Sequence, residues 1–246
     1  MHRVIIIISV VIMLIFDAFF TPTPPALALS SNCSARGIYV DLSGCNLTGA
    51  NLFHVILLYA NLSGANLTGA TLTSADLYGA NFTGANLTSA NLTSATLTSA
   101  TLTYTALTGA TLTGANLNHA HFFNNNLRNA TLTNIDFSGA TFYNVILARA
   151  NLTGANLNYA TLNNTSLSWA NLAGTYFYSA TLENVSSGGI IGTPIFLPSD
   201  WRVTRGYLLG PSANLTNAKL ANLNLAGINL SNADLAYADL TGANLT

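Results

Sequence analysis

The sequence predicts an all-β fold, a coil of very short strands stacked turn upon turn, and three observations predict it. A large apolar residue recurs every fifth position for 29 consecutive units, from Leu42 to Leu182, as Leu in 24 and Phe in five. The place two residues earlier is Ala in 20 of those units, with Val40, Cys45, Val55, Ile135 and Val145 among the substitutes. The places between carry Asn, Asp or Thr before the centre, Thr or Ser after it, and Gly, Ser or Asn at the end of the unit. A period of five sustained over this length fits neither the 3.6 of a helix nor the 2 of a flat sheet. Locally, Ala75-Asp76-Leu77-Tyr78 alternates in and out, and Gly79 then offers a corner. One such unit cannot bury its own leucine, but successive turns of a coil line the leucines and alanines into a continuous core.

The elements follow in chain order. Met1, His2 and Arg3 give a positive start, an apolar run spans Val4 to Phe20, and Ala26-Leu27-Ala28 is a small-x-small site, so residues 1–28 read as a secretory signal peptide. Asp17 and the short run weigh against a retained span, and an uncleaved N-terminal anchor stays as the alternative. Residues 29–41 read as an N-terminal cap. The two cysteines of the chain, Cys33 and Cys45, lie twelve apart behind the export segment, which favours a disulfide tying the cap down. Residues 42–185 form the first repeat block. Register fails at Ser187, and 186–212, with its glycines and prolines around two apolar runs, reads as an irregular loop or hairpin insertion. Residues 213–246 form a second block centred on Leu215 through Leu245.

The run A-(N/D/T)-L-(T/S)-(G/S), as in Ala65-Asn66-Leu67-Thr68-Gly69 and Ala85-Asn86-Leu87-Thr88-Ser89, resembles the pentapeptide-repeat family. That resemblance implies a right-handed quadrilateral β-helix with four units per coil, the centre and the residue two before it pointing inward. Residues twenty apart then become neighbours, and the first block makes a rod about 35 Å long at a spacing near 4.8 Å per coil. Gyrase-inhibiting members of that family carry an acidic surface and a C-terminal dimerising element, which this chain lacks.

Composition restricts function before any site is sought. Half of the 246 residues are apolar, only 6% are charged, and the formal net charge is -1, against about 25% charged residues in an ordinary soluble domain. Nucleic acid is thereby excluded as an electrostatic partner. On the expected coil, Asp76 and Asp136 lie three turns apart, too far to cooperate as a carboxylate pair. His119 and His121 have no carboxylate or thiol beside them, and neither a nucleophilic triad nor a phosphate loop is assembled. The chain is expected to be no enzyme and to need no metal or cofactor. Phe123 and Tyr143 should stack on adjacent coils. Asn125, Thr105, Thr165 and Thr175 fall at inward places and must find hydrogen bonds there.

Two surface features remain. One side collects Thr71, Thr73, Thr93, Thr111, Thr113, Thr131, Thr133 and Thr153, a flat ladder resembling the ice-binding face of unrelated β-solenoid antifreeze proteins, whereas the side around Leu97 has only Thr96 and Thr98. In the insertion, Trp201, Arg202 and Arg205 form a candidate binding tip, against a packed tryptophan. The expected function is a non-enzymatic, exported (periplasmic or extracellular) scaffold that binds a protein partner. An ice-binding module is the alternative reading, and a membrane-anchored surface protein a third. An uncapped last coil also invites end-to-end self-association.

Overall fold

A computed structural model describes residues 33–246; the signal-peptide reading, 1–28, and the start of the cap lie outside the described residues. From Asp41 the chain returns to the same side every twenty residues, through parallel pairs that define four faces. The first face runs Asp41, Asn61, Asn81, Thr101, His121, Thr141, Thr161, Thr181. The second passes through Asn46, Asn86, Asn126 and Ser166, the third through Asn51, Asn91, Thr131 and Asn171, the fourth through Ile56, Thr96, Asp136 and Tyr176. On the first face the pairing lengthens into a parallel sheet of β1 (Thr101–Thr103), β2 (His121–Phe123), β3 (Thr141–Tyr143), β4 (Thr161–Asn163) and β5 (Thr181–Glu183), ordered β1-β2-β3-β4-β5. No helix occurs among the described residues.

The five-residue period is a solution for the backbone as much as for the core. Around Leu67, Asn66 N–H donates back to Cys45 (2.8 Å), while Leu67 and Gly69 N–H donate forward to Asn86 (2.7 Å) and Thr88 (2.9 Å). Ala70 N–H closes the corner on Leu67 (2.9 Å). The fifth donor, Thr68 N–H, is taken by the side chain of Asn66 at 3.1 Å. Each unit that has Asn or Asp before its centre can repeat this solution, so the polar residue completes the accounting that a packed backbone demands. Corner residues are left-handed throughout: Gly69 has φ of 64° and Ser99 of 58°, which is why small turn formers close the unit.

The lumen is filled by the centres and the small residues, with Leu72, Leu112 and Leu152 fully buried. Three phenylalanines meet in it. Phe122 and Phe142 stack with centroids 4.8 Å apart, and Phe137 stands edge-on to both, at 5.6 Å and 5.1 Å. The inward polar residues find backbone acceptors: Thr105 Oγ1 donates to Phe82 O (2.7 Å), Thr175 Oγ1 to Leu152 O (2.9 Å) and Thr165 Oγ1 to Asn163 O (3.3 Å). Asn125 Nδ2 donates to the carbonyls of Leu102 and Thr105, while its buried Oδ1 meets no donor among the described residues. Cys33 and Cys45 are bonded, with Cα atoms 5.6 Å apart.

The coil carries on into the stretch that reads as an insertion. Ser186, Ile191 and Phe196 still pair with Ser166, Asn171 and Tyr176, because main-chain pairing needs no leucine. What fails there is the filling, since Ser187 and Gly192 stand where centres would be. An antiparallel hairpin follows, β6 (Arg202–Thr204) and β7 (Tyr207–Leu209). It lies against this stretch: Ser187 Oγ accepts Leu208 N–H (2.8 Å), and Ile190 N–H donates to Gly206 O (3.0 Å). Trp201, Leu208 and Leu209 join the core cluster. Asn214 then pairs with Ser186, and Asp234 with Asn214, so the second face runs on through the excursion.

Candidate functional site

The Thr-rich ladder is the third face. Thr71, Thr111 and Thr131 are its rungs, with Thr73, Thr113 and Thr133 beyond the buried centres, all half-buried by stacking. Thr93 and Thr153 turn their hydroxyls onto Asn91 and Asn151, each at 2.6 Å. Where Thr precedes the centre no side chain takes the fifth donor, so the N–H groups of Thr73, Thr113 and Thr133 have no protein acceptor among the described residues. In the hairpin, Arg202 and Arg205 are exposed, but Trp201 is only 7% exposed, with a Cβ at Gly210 falling 2.3 Å from its ring. The indole is therefore a packing residue against Gly210, and the tip presents the two arginines alone. The sequence allowed both roles because a Trp beside Pro and Gly serves either.

The fourth face, poorest in threonine, gathers the exposed rings. Tyr78, Tyr178 and Phe196 lie on it, and Tyr39, Tyr59 and Tyr159 stand on the corner beside it. Tyr39 and Tyr59 stack at 5.1 Å, and Tyr78 meets Tyr59 edge-on at 5.3 Å. Burial, then the neighbouring Tyr78 and Tyr39, holds the Tyr59 hydroxyl above its ordinary 10.0. Farther along, Tyr178 braces Tyr159 edge-on at 5.7 Å. Their sequence spacing is irregular, and only stepping by twenty brings them into one strip, so a search for charged clusters passes over them. A smaller group, Tyr104, Phe123 and Tyr143, lies on the first face, Phe123 and Tyr143 stacking at 5.3 Å as expected.

Beside the second tyrosine cluster the fourth face dips into an open depression of about 390 Å³. His119 and Tyr159 flank Gly139, with Asn118, Ser138, Asn156 and Asn158 completing it. Gly139 makes room for the ring: a Cβ there would meet His119 Cε1 at 2.6 Å. Asp136 Oδ1 accepts the N–H (3.0 Å) and hydroxyl (2.7 Å) of Ser138 and the amide of Asn156 (3.0 Å). Asn118 Nδ2 donates to Ser138 Oγ (2.6 Å), and Asn158 Oδ1 accepts Tyr178 N–H (2.8 Å). Ser138 is thus committed to a carboxylate and an amide. His119 stands on the corner and His121 on the first face, and no group of three metal-ligating side chains forms among the described residues.

The model of pentapeptide repeats matches this chain in eight copies, over 38–186 and 213–246. The chain belongs to the pentapeptide repeat family. Among solved pentapeptide repeat structures, HetL of the cyanobacterium Nostoc sp. strain PCC 7120, described as involved in heterocyst differentiation regulation, is 28% identical. That similarity covers 84% of this chain and 85% of HetL, with a TM-score of 0.42. QnrB1, a plasmid-mediated fluoroquinolone resistance protein, is 14% identical over 83% of this chain and 93% of its own, with a TM-score of 0.29. A pentapeptide repeat protein of the Arabidopsis thaliana thylakoid lumen is 25% identical over 57% and 70%, with a TM-score of 0.20. No curated protein sequence matches.

Proposed function

We propose that this pentapeptide repeat protein is a non-enzymatic, exported scaffold that binds a partner through the side of its coil, with the fourth face as the contact. The carrying observation is the strip of exposed rings, Tyr39, Tyr59, Tyr78, Tyr159 and Tyr178, held on a hydrogen-bonded ladder. Tyrosine offers large amphipathic contact area at little entropic cost, and rigid presentation lowers that cost again. Export is supported by the leader reading of 1–28 together with the bonded cysteines; an uncleaved leader would tether the same scaffold to a membrane. Affinity capture from the exported fraction tests the reading with two variants, one carrying Tyr78→Ser, Tyr159→Ser and Tyr178→Ser, the other Thr111→Ser and Thr131→Ser. Partners should be lost with the first and kept with the second. Retention by the first rejects the fourth face.

A second reading, ice binding by the third face, is favoured by the unpaired N–H groups of Thr73, Thr113 and Thr133 beside free threonine hydroxyls on a flat ladder. It requires thermal hysteresis in the purified protein that disappears when Thr111, Thr113, Thr131 and Thr133 are replaced. Hysteresis absent from the parent protein removes it.

A further inference from the structure

We propose that the partner is a neutral, linear polysaccharide, gripped at the depression between His119 and Tyr159, an assignment that rests on the fourth face being the contact surface. The chemistry of the depression selects by exclusion first. None of its lining residues is Lys or Arg, and the carboxylate of Asp136, held by Ser138 and Asn156, lies nearby, so a phosphate backbone or an acidic chain finds no fixed cation there. An extended peptide needs free main-chain groups to add as a strand. Here His119 N–H donates to Ser138 O (3.0 Å) and Gly139 N–H to Asn158 O (3.0 Å), so neither corner offers a main-chain donor to an added strand.

What remains suits hydroxyl groups and apolar C–H faces. Asn118, with one Nδ2 hydrogen engaged by Ser138, keeps an unengaged Oδ1; Asn158, whose Oδ1 accepts Tyr178 N–H, keeps an unengaged Nδ2. An acceptor and a donor two rungs apart, with Ser138 on the rung between, match a ligand whose every hydroxyl both donates and accepts. Both amides are fixed in orientation by their other bonds, so little freedom is lost on engagement. Tyr159, 62% exposed and braced by Tyr178, supplies a ring against which a sugar ring can lie. Linearity follows from the direction of the strip: the rings line up along the coil axis, so a chain laid on them meets one cluster after another, whereas a compact ligand meets one.

Calorimetric titration of cellohexaose, maltohexaose and chitohexaose into the protein tests the assignment, with the exposed variants Tyr159→Ala and Asn158→Ala and the third-face control Thr131→Ala checked for unchanged circular dichroism. At least one hexasaccharide should bind at millimolar concentration or below, each fourth-face variant should weaken it about tenfold or more, and the control should stay within about twofold. No binding by any of the three sugars, or binding indifferent to Tyr159→Ala and Asn158→Ala, overturns it. If the sugars fail while the tyrosine variant still loses its captured partner, the contact surface stands and the saccharide assignment alone falls.

Discussion

Asparagine precedes leucine so often here because a square coil leaves one N–H per unit that neighbouring turns cannot reach. Asn66 Oδ1 takes that donor from Thr68 at 3.1 Å and the Thr68 hydroxyl as well, at 2.7 Å. Asn66→Ala should therefore cost about 0.5–1.5 kcal/mol in denaturant unfolding, and Asn66→Asp, which keeps the acceptor, should cost less. Aspartates in this role add a pH dependence. Asp41 lies below its ordinary 3.8 because of the Ser43 N–H first, then the Ser43 hydroxyl and the Asn61 amide. Asp239 is lowered by the Thr241 hydroxyl first and then its N–H. A lowered folded value means that the unfolded chain takes up the proton first, so this stabilisation is complete above 3.8 and disappears as pH falls through the folded value. Melting temperatures taken from about pH 7 to about pH 2 should fall in that window, and Asp41→Asn should make the fall shallower. The preference for Asn and Asp was visible in the sequence, but its purpose was not, since a turn former and a donor trap look alike until the other four N–H groups are assigned.

Among the elements, the coil's inner lining was legible from the five-residue period. Leu and Phe every five residues with Ala two places earlier left one geometry able to bury them, and Phe82, Phe137 and Leu112 are fully enclosed. The inward polar places were legible too, as residues needing backbone partners. Asn125 satisfies that requirement with its Nδ2 only, leaving Oδ1 orphaned in the lumen. The equivalent place one turn on is Val145, which is 1% exposed. Asn125→Val should thus be neutral or stabilising by up to about 3 kcal/mol, whereas Leu132→Ala, which opens a cavity, should cost about 2–5 kcal/mol. Thermal unfolding of the two variants side by side checks the contrast; a clear loss on Asn125→Val would give the amide a structural role that its hydrogen bonds do not account for. The hairpin was harder to read. A lost centre at Ser187 signals a failed core, yet the backbone rung persists to Phe196 because its hydrogen bonds ignore side-chain identity.

For the coil as a whole, the faces matter more than any one residue, because each places side chains from distant segments in a row. The fourth face draws rings from Tyr39 to Phe196 into one strip, a juxtaposition with no trace in local sequence. That strip and the polysaccharide assignment both depend on the coil closing every twenty residues, and the second repeat block depends on its staying in line across the hairpin, where one circuit, Ser186 to Asn214, takes 28 residues instead. Spin labels measure this directly. Asn46 and Asn126 lie four rungs apart in the unbroken coil, and Asn126 and Asn214 lie four rungs apart across the hairpin. With one label at each position and the native disulfide intact, the two pairs should give the same separation, about 19 Å at about 4.8 Å per rung. A second pair longer than the first by more than about one rung would mean that the coil breaks at the hairpin, contradicting the account.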